Sequence, residues 1–195
     1  CRGSKQDIRC LALENLASKI NFPCRFKVHG CDEMMKPLSK GIHEQACPYR
    51  PIACPLPFSH CKWNGHSSDV AKHVCVDHKG ITRFEGTKLY YVIAGVNTLG
   101  VKCWALIMRC ANMDFLVTIE KSFGSLKIVM TLLSVPRTVA HLYTVKLAKG
   151  HHELMVKNIP RNFRDVLDDD CLVLERRDIR AFSQGCALPM RISII

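Results

Sequence analysis

From Lys88 to the end of the chain, apolar residues come in short runs rich in branched and aromatic side chains. KLYYVIAGV, VKCWALIMRC, DFLVTIEKSF, SLKIVMTLLSV, TVAHLYTVKLA and HHELMVKNIP follow one another with only brief polar or Gly-containing breaks. This spacing predicts successive β-strands in an antiparallel sandwich rather than alternating strands and helices. Ala111-Asn112-Met113 offers a hairpin between the second and third runs, and Pro136-Arg137 joins the fourth and fifth. His151-His152 after Gly150 reads as an exposed hairpin end, because neighbours on a strand face opposite sides. NFRDVLDDD reads as a helical turn with an acidic finish. Asp168, Asp169 and Asp170 point in different directions there and form a solvated turn rather than a metal cluster. A CLVLE strand, an RRDIRAF turn and a closing LPMRISII strand complete this half.

Ahead of the strands the pattern differs. Ile8, Leu11, Leu16 and Ile20 fall near a helical period, with Asp7 as N-cap, which predicts one helix leading into residue 22. Then Pro23, Pro37, Pro48, Pro51, Pro55 and Pro57 punctuate a stretch of fixed turns too short to build its own hydrophobic core. A metal can replace that core. Six residues separate Cys24 from Cys31, eleven lead on to His43 and three to Cys47. Cys54, Cys61 and His73 repeat the six and the eleven, and His78 follows after four. Thiolate and imidazole are the ligands of tetrahedral zinc, and a structural site closes with four of them. Two structural zinc ions are therefore expected, one on Cys24, Cys31, His43 and Cys47, the other on Cys54, Cys61, His73 and His78. In each unit the last two ligands stand about one helical turn apart, so a helix presents both. His60, His66 and Cys75 also lie inside the second unit. Cys75 comes only two residues after His73 and points away from it on a helix, which favours His78.

At 195 residues and 22.0 kDa the chain has room for one ordinary core plus a small metal-stapled module. The expected division is a linker helix over 1–21, paired fingers over 22–79 and the sandwich over 80–195. Hydrophobic residues at 48 % and charged ones at 23 % describe a folded chain rather than a disordered tail. No apolar run approaches the roughly 20 residues of a membrane span. The chain shows no signal-peptide pattern, so a soluble intracellular protein, cytoplasmic or nuclear, is expected. Most of the twelve cysteines sit in metal spacing, which fits a reducing compartment better than disulfides. Cys103, Cys110, Cys171 and Cys186 read as small buried hydrophobes. The formal charge of +11 suits an acidic partner but is spread along the chain. It does not make the fingers readers of DNA, since those use two to four residues between cysteines and about twelve to the first histidine. Nucleic acid is accordingly not expected as the partner. No nucleophile elbow, phosphate loop or HExxH motif occurs, and no catalytic residue is assigned.

The paired fingers, Cys61-Lys62-Trp63, the HKGIT at 78–82, the strand of Trp104 and DCLVLE at 170–175 together resemble the seven-in-absentia (Sina/Siah) family of RING-type E3 ubiquitin ligases. The resemblance implies a RING domain ahead of the fingers, ending in a cysteine followed by Arg-Gly. Cys1-Arg2-Gly3 matches that ending, so Cys1 is expected to be the last RING ligand. It further implies a TRAF-like sandwich, a homodimer through it, an E2 conjugating enzyme bound by the RING, and a groove that takes an extended peptide by strand addition. Strands more apolar than one small sandwich needs point to the same dimer. Matched to the family, Thr82 and Phe84 form one wall of the groove, Tyr90 another, and Lys102, Trp104 and Leu106 its floor. As a strand aromatic, Trp104 also suits a core position. Lys88 and Cys103 stand where the family is acidic and Lys102 where it is apolar, which shifts the expected preference from Val-x-Pro peptides toward acidic ones. The implied function is the substrate-recognition and dimerisation half of a ligase that directs ubiquitination and proteasomal degradation, inactive alone. The alternative is a non-catalytic TRAF-like scaffold.

Overall fold

The computed structural model describes residues 10–56, 59–133, 141–162 and 171–195, without the side chains of 161 and 162. Cys1, Asp7, the Pro136-Arg137 junction and Asp168, Asp169 and Asp170 lie outside the described residues. Packing divides the chain after Pro51, into Cys1–Pro51 and Ile52–Ile195.

In the first unit, helix α1 (Leu11–Lys19) is shorter than its periodicity predicts, with Cys10 rather than Asp7 at its N-cap. None of its residues is buried. Strands β1 (Phe22–Pro23) and β2 (Met34–Met35) pair antiparallel. Helix α2 (Pro37–Ala46) begins on a proline, where the missing N–H has no helical partner to lose.

The second unit opens with another small hairpin, β3 (Ile52–Ala53) and β4 (Asn64–Gly65), followed by helix α3 (Val70–Asp77). Among the described residues ten strands follow: β5 (Thr82–Glu85), β6 (Lys88–Ala94), β7 (Lys102–Cys110), β8 (Met113–Ser122), β9 (Ser125–Leu132), β10 (Tyr143–Lys149), β11 (His152–Asn158), β12 (Arg161–Asn162), β13 (Leu172–Leu174) and β14 (Ala187–Ile194). They form two sheets, ordered β11-β10-β14-β6 and β12-β9-β8-β7-β5, with β13 also on β9. Pairing is antiparallel except for β5 on β7 and β12 on β9. The β5–β7 pairing is parallel because the chain leaves β5 for β6 in the opposite sheet before returning in β7. The expected hairpin turns on Ala111 and Asn112, both at positive φ, between Cys110 and its partner Met113. RRDIRAF, read as a turn, is helix α4 (Arg176–Phe182). Glu175 and Asp178 form a capping box at its start, and Ile179 and Phe182 are buried.

The strand period of two sorts side chains into two cores. Inward residues of both sheets, among them Phe115, Val117, Ile128, Val145, Leu188 and Ile192, fill the sandwich. On the other face of the larger sheet, Ile107 and Leu116, with Leu133 beyond β9, are as fully buried. They pack with Leu56, Val70 and Val74 of the second finger. The change of sequence texture near residue 79 follows the motifs, whereas packing joins the second finger to the sandwich. The surplus apolarity of the strands is thereby used within one chain.

Candidate metal centres and peptide edge

The first two cysteines of each set sit at a hairpin, the first histidine lies on a helix, and the last ligand follows that helix directly. Cys24 follows β1, Cys31 follows a 3₁₀ turn (Lys27–His29), His43 lies in α2, and Cys47 comes directly after it. Cys54 follows β3, Cys61 precedes β4, His73 lies in α3, and His78 comes directly after that helix. Within each set the ligand atoms all lie within 4.8 Å of one another. The Sγ atoms of Cys24 and Cys47 are 3.8 Å apart, and Cys31 Sγ is 3.4 Å from His43 Nε2. In the second set, Cys54 Sγ stands 3.3 Å from His78 Nε2 and Cys61 Sγ 3.6 Å from His73 Nε2, with the two Nε2 atoms 3.3 Å apart. Around a tetrahedral zinc, Zn–S bonds of about 2.3 Å and Zn–N bonds of about 2.0 Å put neighbouring ligand atoms roughly 3.3 to 3.8 Å apart. Both sets fit zinc, and with four protein ligands each they are closed structural sites.

Two ligands have backbone donors that favour their thiolates, whereas the metal-free surroundings of Cys47 favour its thiol. The backbone N–H groups of Phe26 and Trp63 donate to Cys24 Sγ and Cys61 Sγ, each at 3.4 Å. Burial, then the neighbouring Cys31 and Cys24 thiols, push the metal-free Cys47 thiol up to about 11. Zinc binding therefore displaces its proton at neutral pH. His60 is exposed, His66 Nδ1 accepts from the Ser68 N–H, and Cys75 packs into the core beneath the second finger. None of the three joins a ligand set.

Two residues that the sequence reading gave no role at the metal complete the second site. Asp77 Oδ2 lies 2.6 Å from His73 Nδ1. A carboxylate there holds the proton on Nδ1 and leaves Nε2 free for the metal. The Trp63 ring stacks on the His73 imidazole, with centroids 4.2 Å apart and planes 5° from parallel. Gly65 makes that possible, because a Cβ at this position would collide with the indole. The i, i+4 spacing of Asp77 to His73 on α3 was the available signal. Asp77→Asn is expected to weaken zinc at this site by about 10- to 100-fold while leaving the first site unchanged, which a chelator competition on each site reads directly.

The residues matched to a peptide groove are only partly brought together. Thr82 pairs with Leu106 and Phe84 with Met108 across β5 and β7. Thr82 is exposed, whereas Phe84 and Trp104 are half-buried against the sandwich core. Leu106 is 3 % exposed and belongs to that core. Tyr90 stands apart: Leu89, Tyr91 and Ile93 of β6 point inward. Tyr90, 64 % exposed, instead lines an outward hollow of about 270 Å³ with Lys146, Glu153 and Arg191. Lys88 is exposed at the start of β6. Burial, then the Glu120 carboxylate, push the Cys103 thiol up, so it is protonated at neutral pH.

Residues 15–91 match the Sina zinc finger. The whole chain aligns with the E3 ubiquitin-protein ligase sina of Schistosoma mansoni, 30 % identical over 207 residues and 55 % of that protein. It aligns likewise with siah2 of Xenopus laevis, at 29 % over 206 residues and 66 %, and with sina of Drosophila melanogaster, at 28 % over 205 residues and 65 %. The chain thus spans between about half and two thirds of the length of these relatives. With both zinc sites inside the matched region and a sandwich behind them, the chain is a homologue of the seven-in-absentia (Sina/Siah) proteins over its whole length.

Proposed function

We propose that this chain is the substrate-recognition part of a RING-type E3 ubiquitin ligase, working as a TRAF-like homodimer in a reducing compartment, cytoplasmic or nuclear. The observation that carries the reading is the whole-length similarity to proteins named as such ligases, over both the fingers and the sandwich. RING ligases hold a charged E2 beside a substrate, a proximity effect that asks the recognition half for an anchored peptide and no nucleophile. A backbone edge that no described strand pairs with supports this role. β5 ends its sheet, and β7 runs from Lys102 to Ala105 before Thr82 of β5 takes up position opposite Leu106. Extended peptides bind such edges through main-chain bonds, with side-chain pockets supplying choice. Thr82, Phe84, Lys102 and Trp104 border this edge. Among the described residues no cysteine forms a disulfide, in keeping with the compartment.

The test is ubiquitin transfer with E1, a panel of E2 enzymes and ubiquitin. The chain alone is expected to be inactive. Joined behind the RING of Xenopus siah2, it should direct ubiquitin onto itself and onto proteins it retains. A fusion no more active toward retained proteins than the RING alone would leave the scaffold reading in its place.

A further inference from the structure

At one end of the sandwich lies an open cavity of about 580 Å³. Its walls are the loop after β6, the turn between β8 and β9, and helix α4. The size falls within the roughly 300–1,000 Å³ of ligand pockets. Three lining side chains are cations, Lys121, Arg176 and Arg180, and none is a carboxylate. The nearest acids on α4, Glu175 and Asp178, are engaged in its capping box.

Lys121 is 6 % exposed, on the inward face of β8. It donates to the Thr98 carbonyl, which uses one of its three N–H donors. Among the described residues no acid pairs with it. Directly across the β7–β8 ladder stands Lys102. Its Nζ lies 2.9 Å from where a Cβ on Gly95 would be, beside the same loop. Like charges facing each other across a sheet oppose its formation, and a buried cation without a counter-ion is costly. Arg176 lays its stem along Gly124, 3.4 Å from an added Cβ, on the cavity's far side.

The rim carries a second unusual feature. Phe123, at the first turn position between β8 and β9, has φ 47° and is fully exposed. A bulky aromatic in the left-handed region is a strained choice where Asn or Gly would serve. Leu99 and Val101 are also exposed beside it. Cations in a cavity lined by no acid among the described residues, next to apolar side chains held out in water at a conformational cost, complement a ligand that is both anionic and apolar.

We infer that this cavity is a docking site for an acidic peptide segment of a partner protein, one in which Asp or Glu flanks a bulky apolar residue. The carboxylates meet Lys121, Arg176 and Arg180, and the apolar residue packs on Phe123 and Leu99. Thr82, Phe84 and Trp104 of the β5–β7 edge do not line the site, and it does not depend on the ligase reading.

The experiment is fluorescence anisotropy of a labelled peptide carrying Glu-Leu-Glu-Phe-Asp, over a range of salt, on the whole chain. Binding should weaken as salt rises. Arg176→Gln with Arg180→Gln should weaken it about tenfold and flatten the salt dependence. Phe123→Asn should weaken binding while raising the melting temperature, a pairing that a merely structural Phe123 would not give. A Val-x-Pro peptide should not compete, because it is directed at the edge. Competition by it would move the acidic peptide to the edge and overturn this site. Equal binding of a Gln-Leu-Gln-Phe-Asn peptide, displacement by inorganic phosphate at the peptide's own concentration, or full affinity in the folded Arg double variant would each overturn it as well.

Discussion

Cys61→Ser is expected to disrupt far more of the chain than the corresponding change, Cys31→Ser. Each substitution removes one ligand of four, and the binding free energy of a structural zinc, about 10–16 kcal/mol, is largely folding free energy. What differs is the core that each metal supports. The first site encloses a cluster of its own cysteines with Phe26 and Met35, inside Cys1–Pro51. The second holds α3 and the β3–β4 hairpin, whose Leu56, Val70 and Val74 share one core with Ile107, Leu116 and Leu133. Releasing that zinc frees the finger to leave the sheet. Each uncovered Ile or Leu then forfeits about 1.5–3 kcal/mol of burial, against a whole-domain stability of about 5–15 kcal/mol. Hydrogen exchange should show Cys31→Ser loosening residues 22–47 only, while Cys61→Ser spreads exchange into β7 and β8 and promotes aggregation. Matching exchange maps for the two variants would contradict the shared core.

The metal sites were legible in the sequence because spacing is a property of the chain itself. Six and eleven residues, twice, leave little choice of ligands, although the helix expected in each unit carries only the first of its late ligands, His43 or His73, and Cys47 and His78 follow in extended backbone. The tuning around them was less legible, since the stacking of Trp63 on His73 depends on a fold that the sequence does not display. The strands of the sandwich were also readable, with Ala111 and Asn112 marking their turn. The parallel pairing of β5 with β7 was not, because it follows from the path through the opposite sheet and leaves no local signature. α4 was read as a turn because seven residues give too few periods, although the capping pair Glu175 and Asp178 was there to be noticed. The outward direction of Tyr90 was in fact written in the alternation Leu89, Tyr91, Ile93. Matching to a family pattern overrode that parity.

The apolar outer face of the larger sheet shows a different limit, because a buried pattern says that something covers a strand and not what. Strand apolarity was one ground for expecting a dimer. Leu116, 1 % exposed, lies on that face and touches the second finger's core instead. Leu116→Asp separates the two explanations. It removes a buried side chain, at about 2–5 kcal/mol even for truncation to Ala, and puts an unpaired carboxylate in its place at a further cost of about 1–3 kcal/mol or more. If the finger is what covers this face, the variant should lose the second zinc, keep the first, and melt far below the parent chain, with β8 exchanging freely. If the face were instead a dimer contact, sedimentation would show a folded monomer holding two zinc ions with little change in melting temperature. Metal content and sedimentation on one preparation distinguish these outcomes. The expected result, one zinc and an unstable sandwich, would leave any homodimer to be built on other surfaces of the protein.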